Sequence, residues 1–202
     1  MDPTRDGHAR SKPGRAHRLL RKAEDAAALD GPAAGLGRVL KGENGVTRQL
    51  RGHALGHPLH PIAVTVPIGA WVCSAAFDLL PDGRDTARRL VAAGLLTAPA
   101  AVVLGLADYT GLDVRQRRVG LVHAAANATA TALFGASYLA RRGGRGGRLL
   151  GALGLAAAGL GGALGGHLAY AQGAGMFRWQ SLDDLAPAEL AGAAPAAPRN
   201  PA

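Results

Sequence analysis

Four long stretches of this 202-residue chain carry no Asp, Glu, Lys or Arg: residues 54–77, 90–107, 119–140 and 149–177. A helix needs about 20 mostly apolar residues to cross a bilayer, with a usable range near 17 to 25. In lipid every backbone polar group must be satisfied within its own segment, so each run is read as a helix. A soluble helical bundle would show polar residues at helical spacing on its exposed faces. None of the four runs does. The predicted spans are residues 61–79, 90–108, 119–140 and 149–170. Short Arg-rich loops join them, so neighbouring helices are expected to pack antiparallel. The fold class that follows is all-α: an integral membrane four-helix bundle with disordered polar termini.

Composition fits this reading. The chain has 30 Gly and 44 Ala, more than a third of its residues, and only 4% aromatics. Membrane helices associate through close contact of small residues rather than hydrophobic collapse. Gly161/Gly165 and Gly162/Gly166 have four-residue spacing on the fourth span, which suits a neighbouring helix of the same chain. Pro67 and Pro99 each remove a backbone donor inside a span, so kinks are expected there. Collagen is excluded, because the glycines have no three-residue period.

The net charge of +9 raises nucleic-acid binding, but the charges are badly placed for it. Eleven of the 23 basic residues precede Ala54, and most others cluster between the apolar runs. This is the pattern of basic loops beside membrane spans. No nucleic-acid partner is expected; the lipid bilayer is. The single cysteine, Cys73, excludes an intrachain disulfide and a Cys-ligated cluster, and reads as a small buried hydrophobe.

Three regions follow. Residues 1–53 form a basic tail, with a short amphipathic helix or a solvated one within residues 16–29. Residues 54–177 form the transmembrane domain, and residues 178–202 an Ala/Pro-rich tail. The first thirty residues contain no apolar stretch, so no secretory signal peptide is read there. Near the spans the two sides carry seven basic residues each, which leaves the positive-inside rule undecided. A long basic tail is awkward to translocate. The expectation is a bacterial inner-membrane protein with both termini in the cytoplasm.

Four antiparallel spans return several polar residues to the side where the first begins. His57 and His60 enter the first span, and Asp108 and Tyr109 leave the second. His123, Asn127 and Thr131 share a face of the third. His167 and Tyr170 lie near the exit of the fourth. Ionisable residues in spans usually face the bundle interior or a wet cavity. Three chemistries suit the set. Facing imidazoles can ligate a haem b iron. His60, His123 and His167 with Asp108 can hold a divalent metal. A His/Asp/Tyr set can relay protons. The alternative is structural: the same groups bind helix ends and headgroups. Asp78, ~27 Å from His60 by helical rise, is expected to anchor the far side by pairing with Arg84 or Arg88.

Residues 55–71 read LGHPLHPIAVTVPIGAW, residues 120–130 GLVHAAANATA and residues 165–175 GGHLAYAQGAG. In order and spacing these resemble an uncharacterised bacterial membrane-protein family, domain of unknown function 2231, over residues 50–175. The resemblance implies four membrane helices and marks His57, His60, His123 and His167 as the family's characteristic histidines. It carries no established activity. Some similar proteins have a Rieske iron–sulphur domain after the fourth helix, which hints at electron transfer. Here no Cys/His cluster follows Tyr170, so this stretch cannot hold such a cluster itself, and a separate iron–sulphur or other redox protein is left open as the partner. The resulting expectation is a redox-associated membrane component. The alternatives are an accessory subunit, alone or in a homo-oligomer, and a small transporter or proton pathway.

Overall fold

The computed structural model describes residues 14–39, 44–144 and 146–176. Expectations for the two tails beyond these bounds lie outside the described residues. Helix α1 spans Arg15–Asp25 and α2 spans Asp30–Gly37. Helix α3 spans Gly45–Leu50, opened by a capping box between Asn44 and Thr47. The first membrane helix comes in two pieces, α4 (Leu59–Ala63) and α5 (Thr65–Phe77). Then come α6 (Arg84–Tyr109), α7 (Val114–Arg142) and α8 (Arg148–Gly166), which continues into a π-helical turn at His167–Ala171. Four helices are long and apolar enough to cross a membrane: Leu59–Phe77, Arg84–Tyr109, Val114–Arg142 and Arg148–Ala171, with mean hydropathy between 1.2 and 2.2. No strand occurs among the described residues.

Side-chain contacts give the register. On α4 and α5, His60 meets Ala101 of α6 and Trp71 meets Val91. On α7, His123 meets Gly161 of α8, and Phe134 lies against Gly154. Along each pair one number rises as the other falls. The two pairs of helices pack α6 against α7 and α5 against α8, and across the middle the Trp71 and Phe134 rings of α5 and α7 stack at 4.2 Å. Val91 and Ala98 complete this core. The outward surface is apolar; Leu96 is 81% exposed. That is the burial expected when lipid replaces a protein shell.

The expected kinks resolve differently. The first membrane helix breaks at Val64, directly after Ala63, whose carbonyl Pro67 deprives of a donor. At Pro99, α6 runs on as one helix. Of the two glycine pairs on α8, only Gly161/Gly165 packs on α7; a Cβ at Gly162 would meet nothing within 4 Å.

The segment read as a basic tail with one short helix is built into the fold. Leu20 and Ala23 of α1 pack on Val119, Leu164 and Leu168. Arg118 holds Asp30 through two bonds of 2.6 and 2.9 Å, and donates a third, of 2.8 Å, to the Glu24 carbonyl. The buried Tyr109 hydroxyl lies 3.0 Å from the carbonyls of Ala33 and Arg117, shared between α2 and α7. Arg51 donates to the Ala107 carbonyl at 2.9 Å. Gly52, at φ +94°, closes the turn into the first span; a Cβ there would sit 1.8 Å from the His57 carbonyl oxygen.

At the far end, Asp78 does not pair with Arg84 or Arg88. It accepts two bonds of 2.6 Å from Arg141, and both side chains are nearly buried. Arg88 turns to Asp85 instead. The reason is geometric: Asp78 ends α5 beside the end of α7, which carries Arg141, whereas Arg84 and Arg88 stand on the first turns of α6. Cys73, expected to be buried, is exposed on the outer face of α5.

Candidate functional site

His60 lies on α4, in the opening turn of the first membrane helix. Its Nδ1–H donates to the Ala101 carbonyl of α6 at 2.9 Å. His123 of α7 does the same to the Gly161 carbonyl of α8 at 2.8 Å. A carbonyl oxygen can only accept, so each bond places a proton on Nδ1, and in the neutral ring the lone pair is then on Nε2. Glycines let the rings sit this close. A Cβ on Gly105 would be 2.9 Å from His60 Cε1, and one on Gly165 would be 3.0 Å from His123 Cε1. The two rings then meet edge-on with centroids 6.3 Å apart. Asn127, one turn along α7, donates to the His123 carbonyl at 2.9 Å, with its nitrogen 3.3–3.4 Å from the ring nitrogens. Gly161 makes room for it, since a Cβ there would be 2.6 Å from Asn127 Oδ1. Thr131 bonds the Asn127 carbonyl, within its own helix.

His167 belongs to a second place. Its Nε2–H donates to Glu24 of α1 at 2.6 Å, and each side chain is only 12% exposed. Arg115 lies 3.8 Å from the same carboxylate and 2.7 Å from Asp25. A cleft of roughly 290 Å³ opens here, lined by Arg21, Glu24, Asp113, Arg115, His167 and Gln172 among others.

The residues expected to converge are therefore divided. His60, His123 and Asn127 come together. His167 turns to α1. Tyr170 is 86% exposed and takes no part, and His57 is exposed in the turn before the first span. Tyr109 is buried but serves the α2 and α7 carbonyls, and Asp108 is half-buried at the end of α6. Among the described residues no group of three or more His, Cys, Asp or Glu is arranged to hold a metal. The set of His60, Asp108, His123 and His167 is not assembled as one ligand cage. Asp108 lies seven residues beyond Ala101 on α6, and His167 six beyond Gly161 on α8, so by helical rise both sit roughly 9–10 Å nearer the tail-side ends than the carbonyls that hold His60 and His123.

Sequence reasoning missed Glu24 and the two carbonyl acceptors. Glu24 sits 143 residues from His167, and nothing local marks it. The glycines at 161 and 165 were visible as a packing pair, and their spacing was the one signal for the His123 bond.

Electrostatics outside the spans are simple. The Arg118 guanidinium bonded to Asp30 holds that carboxyl below the usual carboxylate range.

The family model described as Predicted membrane protein (DUF2231) matches residues 56–178, more than half of the chain. No curated protein and no solved structure matches.

Proposed function

Since the chain belongs to the DUF2231 family of predicted membrane proteins, we propose that this multi-pass membrane protein holds one metal centre, haem iron first, between His60 and His123 in a redox-associated role. The supporting observation is the pair itself. Two imidazoles from separate helices are each oriented by an Nδ1–H bond to a backbone carbonyl, 2.9 and 2.8 Å long. That is how metal-bound histidines are commonly fixed. Their centroid separation of 6.3 Å also suits a shared ion: at ~2 Å per metal–nitrogen bond, two imidazoles in line on one ion have centroids roughly 6 Å apart. Haem iron needs no third protein ligand, whereas a bare divalent ion usually does. Bound there, haem would supply one-electron chemistry. A separate redox protein, an iron–sulphur protein for instance, would exchange electrons at the tail side.

The test is spectroscopic. The full chain purified in detergent is expected to show a Soret band or stoichiometric metal, lost in His60→Ala and in His123→Ala and retained in His167→Ala. A colourless, metal-free protein that stays so after addition of iron protoporphyrin IX would sink the reading.

A structural role is the second reading, supported by the same two bonds. Each histidine staples its helix to a neighbour, and the described residues add no third ligand. In that case both alanine variants lower stability and change no spectrum. A proton pathway has less support, because Asp78, the acid at the far end, is closed in its pair with Arg141.

The plasma membrane, with both ends of the chain in the cytoplasm, is the proposed setting. An active periplasmic reporter at the C-terminus, with an inactive cytoplasmic one, would reverse the orientation.

A further inference from the structure

Equivalent positions recur along the chain at a fixed offset. His60 and His123, Trp71 and Phe134, Ser74 and Ser137, and Asp78 and Arg141 are each 63 residues apart. On the returning helices the offset is 60: Gly94 and Gly154, Ala98 and Ala158, Ala101 and Gly161, Gly105 and Gly165. These pairs do the same jobs. The histidines donate to Ala101 and Gly161, which are counterparts, and lie against Gly105 and Gly165, also counterparts. The aromatic rings lie on Gly94 and Gly154, again counterparts. The buried stripes match too: Pro67, Trp71 and Ser74 on α5 against Ala130, Phe134 and Ser137 on α7. Val91, Gly94, Ala98 and Ala101 on α6 match Gly151, Gly154, Ala158 and Gly161 on α8.

Across the middle, like meets like. His60 faces His123, Trp71 stacks on Phe134, and Asp78 pairs with Arg141. A residue touches its own counterpart only near a two-fold axis, as in an isologous dimer interface. The three contacts rise together along α4–α5 and α7, so the two strands of the seam run the same way. The axis then lies along the helices and along the membrane normal, the arrangement of a parallel repeat.

We infer that the transmembrane domain is two copies of one helical hairpin about an approximate two-fold axis, and that His60 and His123 form a symmetric site on that axis, offering equivalent imidazoles to a single metal centre. The site half of this rests on the proposed function; the two-fold half does not. The symmetry also explains which histidines pair. The counterpart of His167 is Ala107 and that of Asp108 is Leu168, so neither belongs to a repeated site.

A charge swap in the full chain reads the two-fold. Arg141 also donates from Nε to Ser137 four residues before it, at 3.1 Å. The repeat places Ser74 four residues before Asp78, ready to receive an arginine there. Asp78→Arg and Arg141→Asp are each expected to lower Tm by about 10 °C or more, or to prevent folding. The double variant should recover most of the loss, and adding Ser74→Ala should undo part of that recovery. A double variant no more stable than the single ones, or a recovery indifferent to Ser74, would overturn the repeat. Titration with iron protoporphyrin IX reads the site. His60→Ala, His123→Ala and the double variant should lose binding equally, while Asp108→Asn and His167→Ala keep it. Loss in only one of the two histidine variants would overturn the symmetric site. Failure of the parent to bind removes the site together with the proposed function, and leaves the charge swap to decide the repeat.

Discussion

Glycine at position 94 marks how closely these helices approach. A Cβ there would lie 2.1 Å from Trp71 Nε1, and the indole cannot retreat because Phe134 stacks on its face. Gly94→Ala should therefore cost about 1–3 kcal/mol through overpacking. Gly162→Ala, where a Cβ meets nothing within 4 Å, should be near neutral. Comparing the two by denaturation in detergent checks the packing; equal losses would mean that α6 does not lie on Trp71. The His167–Glu24 contact makes a second prediction at this scale. His167→Ala leaves a carboxylate that is 12% exposed without its imidazole partner, costing about 1–3 kcal/mol. The loss belongs to the docking of α1, so faster hydrogen exchange across residues 15–25 should report it while α7 is unchanged.

Among the elements, α1 and α2 show what a sequence leaves unsaid. Their helix-forming residues are visible locally, but their docking depends on Arg115 and Arg118, about ninety residues away. No periodicity in a tail reveals such partners. The acid side of this docking is testable. Arg118 lowers the pKa of Asp30 in the folded state. A lowered carboxyl contributes stability that is fully present above the unfolded value, near 3.9. It is lost as pH falls through the lower folded value. Protection of residues 30–37 should therefore weaken below about pH 4, and Asp30→Asn should flatten that part of the profile. A variant with the parental acid profile would mean that the Asp30–Arg118 pair does not set it. The π-helical turn explains a related gap. The amide of Gln172 bonds the His167 carbonyl five residues back, at 3.1 Å. This wider turn breaks the 3.6-residue spacing at the helix end where topology had placed His167 with the other histidines. Topology brought His167 to the same end of the bundle, but could not give the facing of a side chain at an irregular helix end.

For the whole molecule, the bilayer explains both what was legible and what was hidden. Four uncharged runs between basic loops leave few folds open, because unsatisfied backbone cannot cross lipid. The same solvent hides the internal repeat. Any two membrane helices rich in Ala and Gly share residues by composition, and the change of offset from 63 to 60 breaks a simple self-comparison. Only contact between counterparts, ring on ring and acid on base, separates a repeat from shared composition. If that seam joins the two hairpins, its centre should dominate stability. Phe134 is fully buried against Trp71, so Phe134→Ala removes the stack and opens a cavity, at a cost of about 3–5 kcal/mol. Leu96 is 81% exposed on the outer face, and Leu96→Ala replaces contact with lipid only, for about 0.5 kcal/mol or less. Unfolding from mild into denaturing detergent, followed by Trp71 fluorescence, compares them. A similar loss for both would mean that the hairpins are held by their outer surfaces, through lipid or a partner, rather than by the seam.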